Sequence, residues 1–204
     1  GHYYEYVAAS SGVFAWHSTD PTRSAFDLAD TSELYGVRGH LATITSAQEQ
    51  AFVFDNIAAT NFWIGATEHD PLLTRVLGEG TFDPASWYWA AGPDAGLRFW
   101  KRLTNAGVWV HDSDGTDLAR TADNAAVARY ENWCPTTLSG GSFDLRVRSS
   151  MTEPNGVNEV FAVEKWGGAA CWNDFGGDGL YTRTGYLVEY SEDWGTGADA
   201  PGAF

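Results

Sequence analysis

Both ends of this chain read as β-strands, and the only two segments with helical periodicity lie near its start. His2-Tyr3-Tyr4-Glu5-Tyr6-Val7 opens the sequence, and Tyr186-Leu187-Val188-Glu189-Tyr190 stands near its close. Both runs are rich in aromatic and β-branched residues, which favour extended backbone. Terminal strands that pair would bring the chain ends together. The order strand, two helices, then strands and loops predicts an α+β fold with segregated helices.

The helices are marked by their caps. Asp20 is a good N-cap and Pro21 stands just inside the first turn. Ala25, Phe26, Leu28, Ala29 and Leu34 then predict an apolar stripe running to about Gly36. Ser46 with Glu49 three residues on predicts a capping box opening the second helix. Phe52, Val53 and Ile57, with Phe54 beside them, are its expected inner face. His40-Leu41-Ala42-Thr43-Ile44 reads as a strand-like link, with His40 a packing residue. Phe62-Trp63-Ile64-Gly65 reads as a buried strand whose glycine allows close approach.

Beyond Gly65 the helical period is lost. Asp70-Pro71, Gly78, Gly80, Pro84, Gly92-Pro93, Gly96 and Gly107 punctuate short aromatic strands such as Trp87-Tyr88-Trp89. The stretch from Gly92 to Gly156 is long and irregular, and such loops within a domain are usually functional. Ten Trp and 23 Gly in 204 residues suit rigid loops pinned by aromatic anchors. A hydrophobic fraction of 44% supports a real core for most of the length.

Charge narrows the partners. With 12 basic and 27 acidic residues the formal net charge is −15. Phosphate backbones and anionic membranes need a cationic surface, so neither is an expected partner. Cations are, although a solvated acidic surface of the kind common in salt-rich surroundings also accounts for the excess. Cys134 and Cys171 allow one disulfide at most, and too few ligands for a zinc framework. A bridge between them and two buried free thiols are both open. The sequence shows no signal peptide and no transmembrane run. We expect a domain over residues 1–190 and a linker-like tail over 191–204, with Gly195, Gly197, Pro201 and Gly202, as part of a larger multidomain protein.

The chemistry concentrates late in the chain. Glu153-Pro154-Asn155 is followed by Glu159 and then by Trp172-Asn173-Asp174. Carboxylate and amide oxygens at this density suit Ca²⁺, which takes roughly six to eight oxygen ligands in flexible geometry. Alone, Glu153-Pro154-Asn155 would read as a surface turn. Trp172 reads as a core anchor. Asp112, Asp114 and Asp117 form a second acidic loop that could hold another Ca²⁺, a solvated turn being the plainer reading; the rest of an EF-hand is missing. Gly176-Gly177-Asp178-Gly179 reads as a flexible turn near the site.

The joint order of these pieces resembles a C-type lectin-like domain. Gly39-His40-Leu41-Ala42-Thr43-Ile44 resembles the link between that family's two helices. Trp63-Ile64-Gly65-Ala66 resembles its WIGL strand, and Gly80-Thr81-Phe82, Trp87-Tyr88-Trp89 and Gly92 its next hairpin. Tyr130-Glu131-Asn132-Trp133 resembles the aromatic anchor before the calcium loop, and Tyr186–Tyr190 the final strand. The family's two usual disulfides are absent, and segments around 67–81 and 99–152 are inserted relative to a minimal domain.

The resemblance implies two helices, short antiparallel sheets and a long ligand-binding loop region. It implies Ca²⁺ held by Glu153, Asn155, Glu159, Asn173 and Asp174, with Pro154 in the cis form. The order Glu-Pro-Asn implies vicinal diols of the mannose type, found in mannose, fucose, glucose and N-acetylglucosamine, bound by Glu153, Asn155, Glu159 and Asn173. The expected setting is extracellular or at the cell surface, in a bacterial adhesin facing glycans of a cell or host. A module of this fold binding a protein or other non-sugar ligand is the alternative. Catalysis is not expected. Glu153 and Glu159 resemble a glycosidase acid/base pair, but carboxylates sharing a cation stay ionised and cannot donate a proton. No Ser-His-Asp set, reactive cysteine or phosphate loop is evident.

Overall fold

The computed structural model describes residues 1–10, 12–68, 86–101, 103–105, 108–110, 130, 133–134, 147–148, 161–164, 166–176 and 182–191. In chain order the elements are β1 (His2–Ala8), β2 (Phe14–Ala15), α1 (Ala25–Asp30), β3 (Glu33–Leu34), β4 (Val37–Leu41), α2 (Ala47–Asn56), β5 (Phe62–Thr67) and β6 (Ser86–Trp89). There follow β7 (Arg98–Lys101), β8 (Leu103–Asn105), β9 (Val108–Val110), β10 (Val147–Arg148), β11 (Phe161–Glu164), β12 (Asn173–Phe175), β13 (Thr182–Arg183) and β14 (Gly185–Ser191). The class is α+β, as the order of the segments predicts.

The terminal strands do pair. β1 runs antiparallel to β14 from His2↔Ser191 to Ala8↔Gly185. The main sheet has the order β12-β11-β5-β14-β4-β3, with β1 also on β14, β6 on β5 and β7 on β6. Two small sheets, β10-β9-β8 and β13-β2, stand apart from it.

The central strands β5 and β14 are buried on both faces, so they read as continuous apolar runs. Alternation divides their side chains between two cores. Phe62, Ile64 and Leu187 face a Trp-rich core with Trp87, Trp89 and Trp172. Trp63, Val188 and Tyr190 face a second core with Trp16, Phe161 and the small face of α1. Each fully buried Trp removes roughly 150–250 Å² from water, worth about 4–6 kcal/mol before chain entropy is charged against it. The indole N–H of Trp16 donates to the Ile64 carbonyl at 2.6 Å, which satisfies it in the core. Gly65 is required by contact: a Cβ there would fall 2.8 Å from the Leu41 carbonyl oxygen.

Three local expectations change. Asp20 caps only a 3₁₀ turn over Pro21–Arg23, accepting from the Thr22 amide at 3.0 Å. Ser24 then sits in extended backbone and caps α1 itself, accepting from the Asp27 amide at 3.2 Å. Leu34 is not on a helix. The helix stops at Asp30, and Glu33–Leu34 folds back on Val37–Arg38 through a turn with positive φ at Tyr35 (52°) and Gly36 (85°). That pair of angles is the mirror-image turn that matches strand twist. Phe52 is half exposed rather than inward, because α2 buries Gln50 and Val53. Ser46 caps α2 as predicted, with the Glu49 amide donating to Ser46 Oγ at 3.2 Å, while the Glu49 side chain reaches back one residue past the cap, its Oε2 accepting from the Thr45 amide at 2.7 Å.

Candidate functional site

The loop region predicted to hold the ion ends in a tightly anchored segment. Cys134 and Cys171 are bridged, with Cα atoms 4.9 Å apart across 37 positions of sequence. Beside the bridge, Trp133 and Trp172 form a parallel backbone contact, and the Cys134 amide donates to the Trp172 carbonyl at 2.7 Å. Disulfides persist in oxidising surroundings such as the cell exterior.

Trp172 is a core anchor, as expected. Its ring is wholly buried and meets Trp89, Phe99, Tyr130 and Trp133 edge-on at 5.7–5.9 Å between centroids. Its indole N–H donates to Gln50 Oε1 at 2.8 Å, and Gln50 Nε2 donates to Glu164 Oε1 at 2.6 Å. One amide from α2 therefore ties β11 to Trp172, the residue that leads directly into β12. Gln50 and Glu164 escape a sequence reading, because a polar residue on a helix or strand is ordinarily assigned to the solvent face.

The next two residues, Asn173 and Asp174, are the predicted ligands that fall among the described residues. β12 is antiparallel to β11, with Val163↔Asn173 and Ala162↔Asp174. Facing residues share a side, so Asn173 lies on the face of Val163 and Phe175, and Asp174 on the face of Ala162 and Trp172. Both are buried. The Asn173 amide curls back so that Nδ2 donates to the Asp174 main-chain oxygen. Its Oδ1 is buried with no hydrogen-bond partner among the described residues. On the same face, the Arg183 guanidinium lies 3.4 Å above the Phe175 ring, and burial pushes its pKa down to about 10. It stays protonated at neutral pH. Glu153, Asn155 and Glu159 lie outside the described residues, as do Asp112, Asp114 and Asp117 and the Asp178 turn.

A second polar cluster joins the two terminal strands to α2. His2, Glu49 and Glu189 place ligand-type atoms within 4.8 Å of one another. His40 stands beside them, 1% exposed. Its Nδ1 is 2.9 Å from the Leu41 carbonyl, which can only accept, so that nitrogen carries the proton. Burial pushes the His40 pKa down, which keeps the ring neutral and fits a packing role. Among the described residues no helix is long and apolar enough to cross a membrane.

No protein-family model matches the chain. Among curated proteins it is similar to Halomucin of Haloquadratum walsbyi, 36% identical over 192 residues. That match covers 93% of this chain and 1% of Halomucin, so the chain spans about a hundredth of that relative's length. Among solved structures it is similar to the C-type lectin CEL-I from Cucumaria echinata, with 16% identity and a TM-score of 0.46 over 93% of this chain and 90% of that one. A likeness that distant does not bear on chemistry.

Proposed function

We propose that this domain binds carbohydrate through a Ca²⁺ ion held by Glu153, Asn155, Glu159, Asn173 and Asp174. The observation that carries the reading is the buried Asn173 Oδ1, an acceptor with no partner among the described residues, next to the Asp174 main-chain oxygen. An orphaned buried acceptor is costly unless something donates to it or a cation meets it. Two carboxylates (Glu153 and Glu159), two amides (Asn155 and Asn173) and the Asp174 main-chain oxygen make a donor set that suits a hard cation; the Asp174 side chain lies on the other face of β12 from Asn173. The bound ion would accept lone pairs from two adjacent sugar hydroxyls, while Glu153 and Glu159 accept their protons and Asn155 and Asn173 donate to their oxygens. Vicinal diols of the mannose type, in mannose, fucose, glucose or N-acetylglucosamine, are the proposed ligands.

The setting we propose is the exterior of a cell, within a much longer surface protein that adheres to glycans. The disulfide and the share of Halomucin that the chain covers support it. Single-site affinity should be weak, on the order of millimolar, so adhesion would rest on repeated copies or branched glycans.

Calorimetry with CaCl₂ and a glycan array with and without chelator test the reading together. Saturable Ca²⁺ uptake and chelator-sensitive binding of mannose-type sugars are expected, with Asn173→Ala weakening both about tenfold or more. Bound sugar should also release at mildly acidic pH, as protonated carboxylates hold Ca²⁺ poorly. Absence of Ca²⁺ uptake sinks the proposal. Uptake with no sugar signal redirects it to a protein ligand.

A further inference from the structure

His2 and Glu189 stand 187 positions apart in the chain and in contact in space. The His2 Nδ1 touches Glu189 Oε1, and Glu49 Oε1 lies 3.9 Å from the same nitrogen. The three groups come from β1, β14 and α2, so the imidazole sits where the first strand meets the last strand and the helix.

The two carboxylates are already served by protein donors. Glu189 Oε2 accepts from the Thr43 amide at 2.9 Å and Thr43 Oγ1 at 3.1 Å, and its Oε1 from Ser191 Oγ at 2.8 Å. Glu49 Oε1 accepts from the Tyr4 hydroxyl at 3.1 Å, and its Oε2 from the Thr45 amide and hydroxyl at 2.7 and 2.9 Å. Few lone pairs remain for a metal ion. Positive charge is what these donors do not supply. Glu189 is 1% exposed, and a buried carboxylate without a counter-charge is strongly unfavourable. We propose that protonated His2 is a pH-operated latch that fastens β1 to β14 and α2, and that β1 loosens when the ring loses its proton.

The surrounding charges agree with this reading. The hydrogen bond to Glu189 raises the His2 pKa most; burial opposes it, and the charges of Glu189 and Glu49 add to the rise. On β4, neutral His40 faces the same carboxylate through Ser191, 3.2 Å from its Nε2. Asp94, between β6 and β7, faces Thr43 Oγ1 at 3.3 Å and adds negative charge to the cluster. Because the folded pKa lies above the ordinary value of 6.5, the latch is complete below that pH. It is lost as pH rises through the raised value. The His2 side chain is 49% exposed, so solvent screening trims its strength.

Hydrogen exchange on the 204-residue chain tests the latch. Protection of β1 amides, referenced to β5 amides, should fall by about twofold or more between pH 5.5 and 8.5. In His2→Gln, a substitution at a half-exposed position that leaves the core packing intact, protection should show no such fall. NMR titration of the His2 ring should give a pKa above 6.5. Equal protection at both pH values in the unmodified chain, or a ring titrating at or below 6.5, overturns the proposal. So does displacement of the ring proton by added Ca²⁺ or Zn²⁺, which would make the cluster a metal site.

Discussion

Replacing Gln50 with leucine isolates the bridge from α2 to β11 and to Trp172, which leads into the strand that carries Asn173 and Asp174. The native amide donates to Glu164 and accepts from Trp172, at 2.6 and 2.8 Å. Gln50 is 5% exposed and both partners 0%, so water has no ready way in to replace it. Leucine and glutamine have nearly equal helix propensity, which removes the backbone from the comparison. Each buried group deprived of a hydrogen bond costs about 1–3 kcal/mol, and groups bonded to a charge more. Leucine recovers roughly 1–2 kcal/mol by burying more apolar surface. The net expectation is a loss of about 2–4 kcal/mol, or roughly 5–15 °C in Tm for a domain of this size. Urea unfolding followed by tryptophan fluorescence measures it, with an unchanged slope showing that the unfolded reference is the same. Gln50→Glu keeps the volume and the acceptor for Trp172 but sets two carboxylates face to face. Its stability should therefore improve on acidification, as one of them takes up a proton. If Gln50→Leu unfolds within about 0.5 kcal/mol of the original chain, the bridge does not hold β11 to Trp172 and the reasoning fails.

Three further outcomes follow from the same structure. Because the net charge is −15, the unfolding midpoint should rise as NaCl is raised from low concentration, and a flat response would show that self-repulsion is not a destabilising term here. Joint replacement of Cys134 and Cys171 by serine should cost about 4 kcal/mol by the loop-closure relation for a separation of 37 residues; a loss under about 1 kcal/mol, read by the same urea titration, would rule that relation out here. Tyr35 is 97% exposed at positive φ, so Tyr35→Asn should stabilise the β3–β4 turn by about 0.5 kcal/mol, and a lowered melting temperature would argue against backbone strain there.

What the sequence revealed follows the range of the forces involved. The helix cap at Ser46 is legible because its partner sits within one turn. The strands around Trp63 and Leu187 are legible because burial on both faces leaves a continuous apolar run. Asp20 looks like a helix cap because the local pattern cannot show Ser24 drawn into extended backbone by its bridge to Ala15. Leu34 extends an apolar stripe that the turn at Tyr35 and Gly36 cuts off. Gln50, Glu164 and Glu189 are hidden for the opposite reason: each is polar, and its burial depends on partners more than a hundred positions away. Of the proposed calcium ligands, Asn173 and Asp174 fall on a described strand, where pairing with β11 sends their side chains to opposite faces. A list of oxygen-bearing residues carries no such directional information.

The pairing of the terminal strands has a mechanical consequence. His2 faces Ser191 and Ala8 faces Gly185, so the point where the chain enters the sheet adjoins the point where it leaves. Rungs of an antiparallel ladder lie across the strands. Tension drawn through those two points therefore parts them one after another, as in opening a zip, instead of loading every rung at once. A long filament carrying such domains in series would lengthen stepwise under drag, each domain yielding at modest force while the filament itself stays intact.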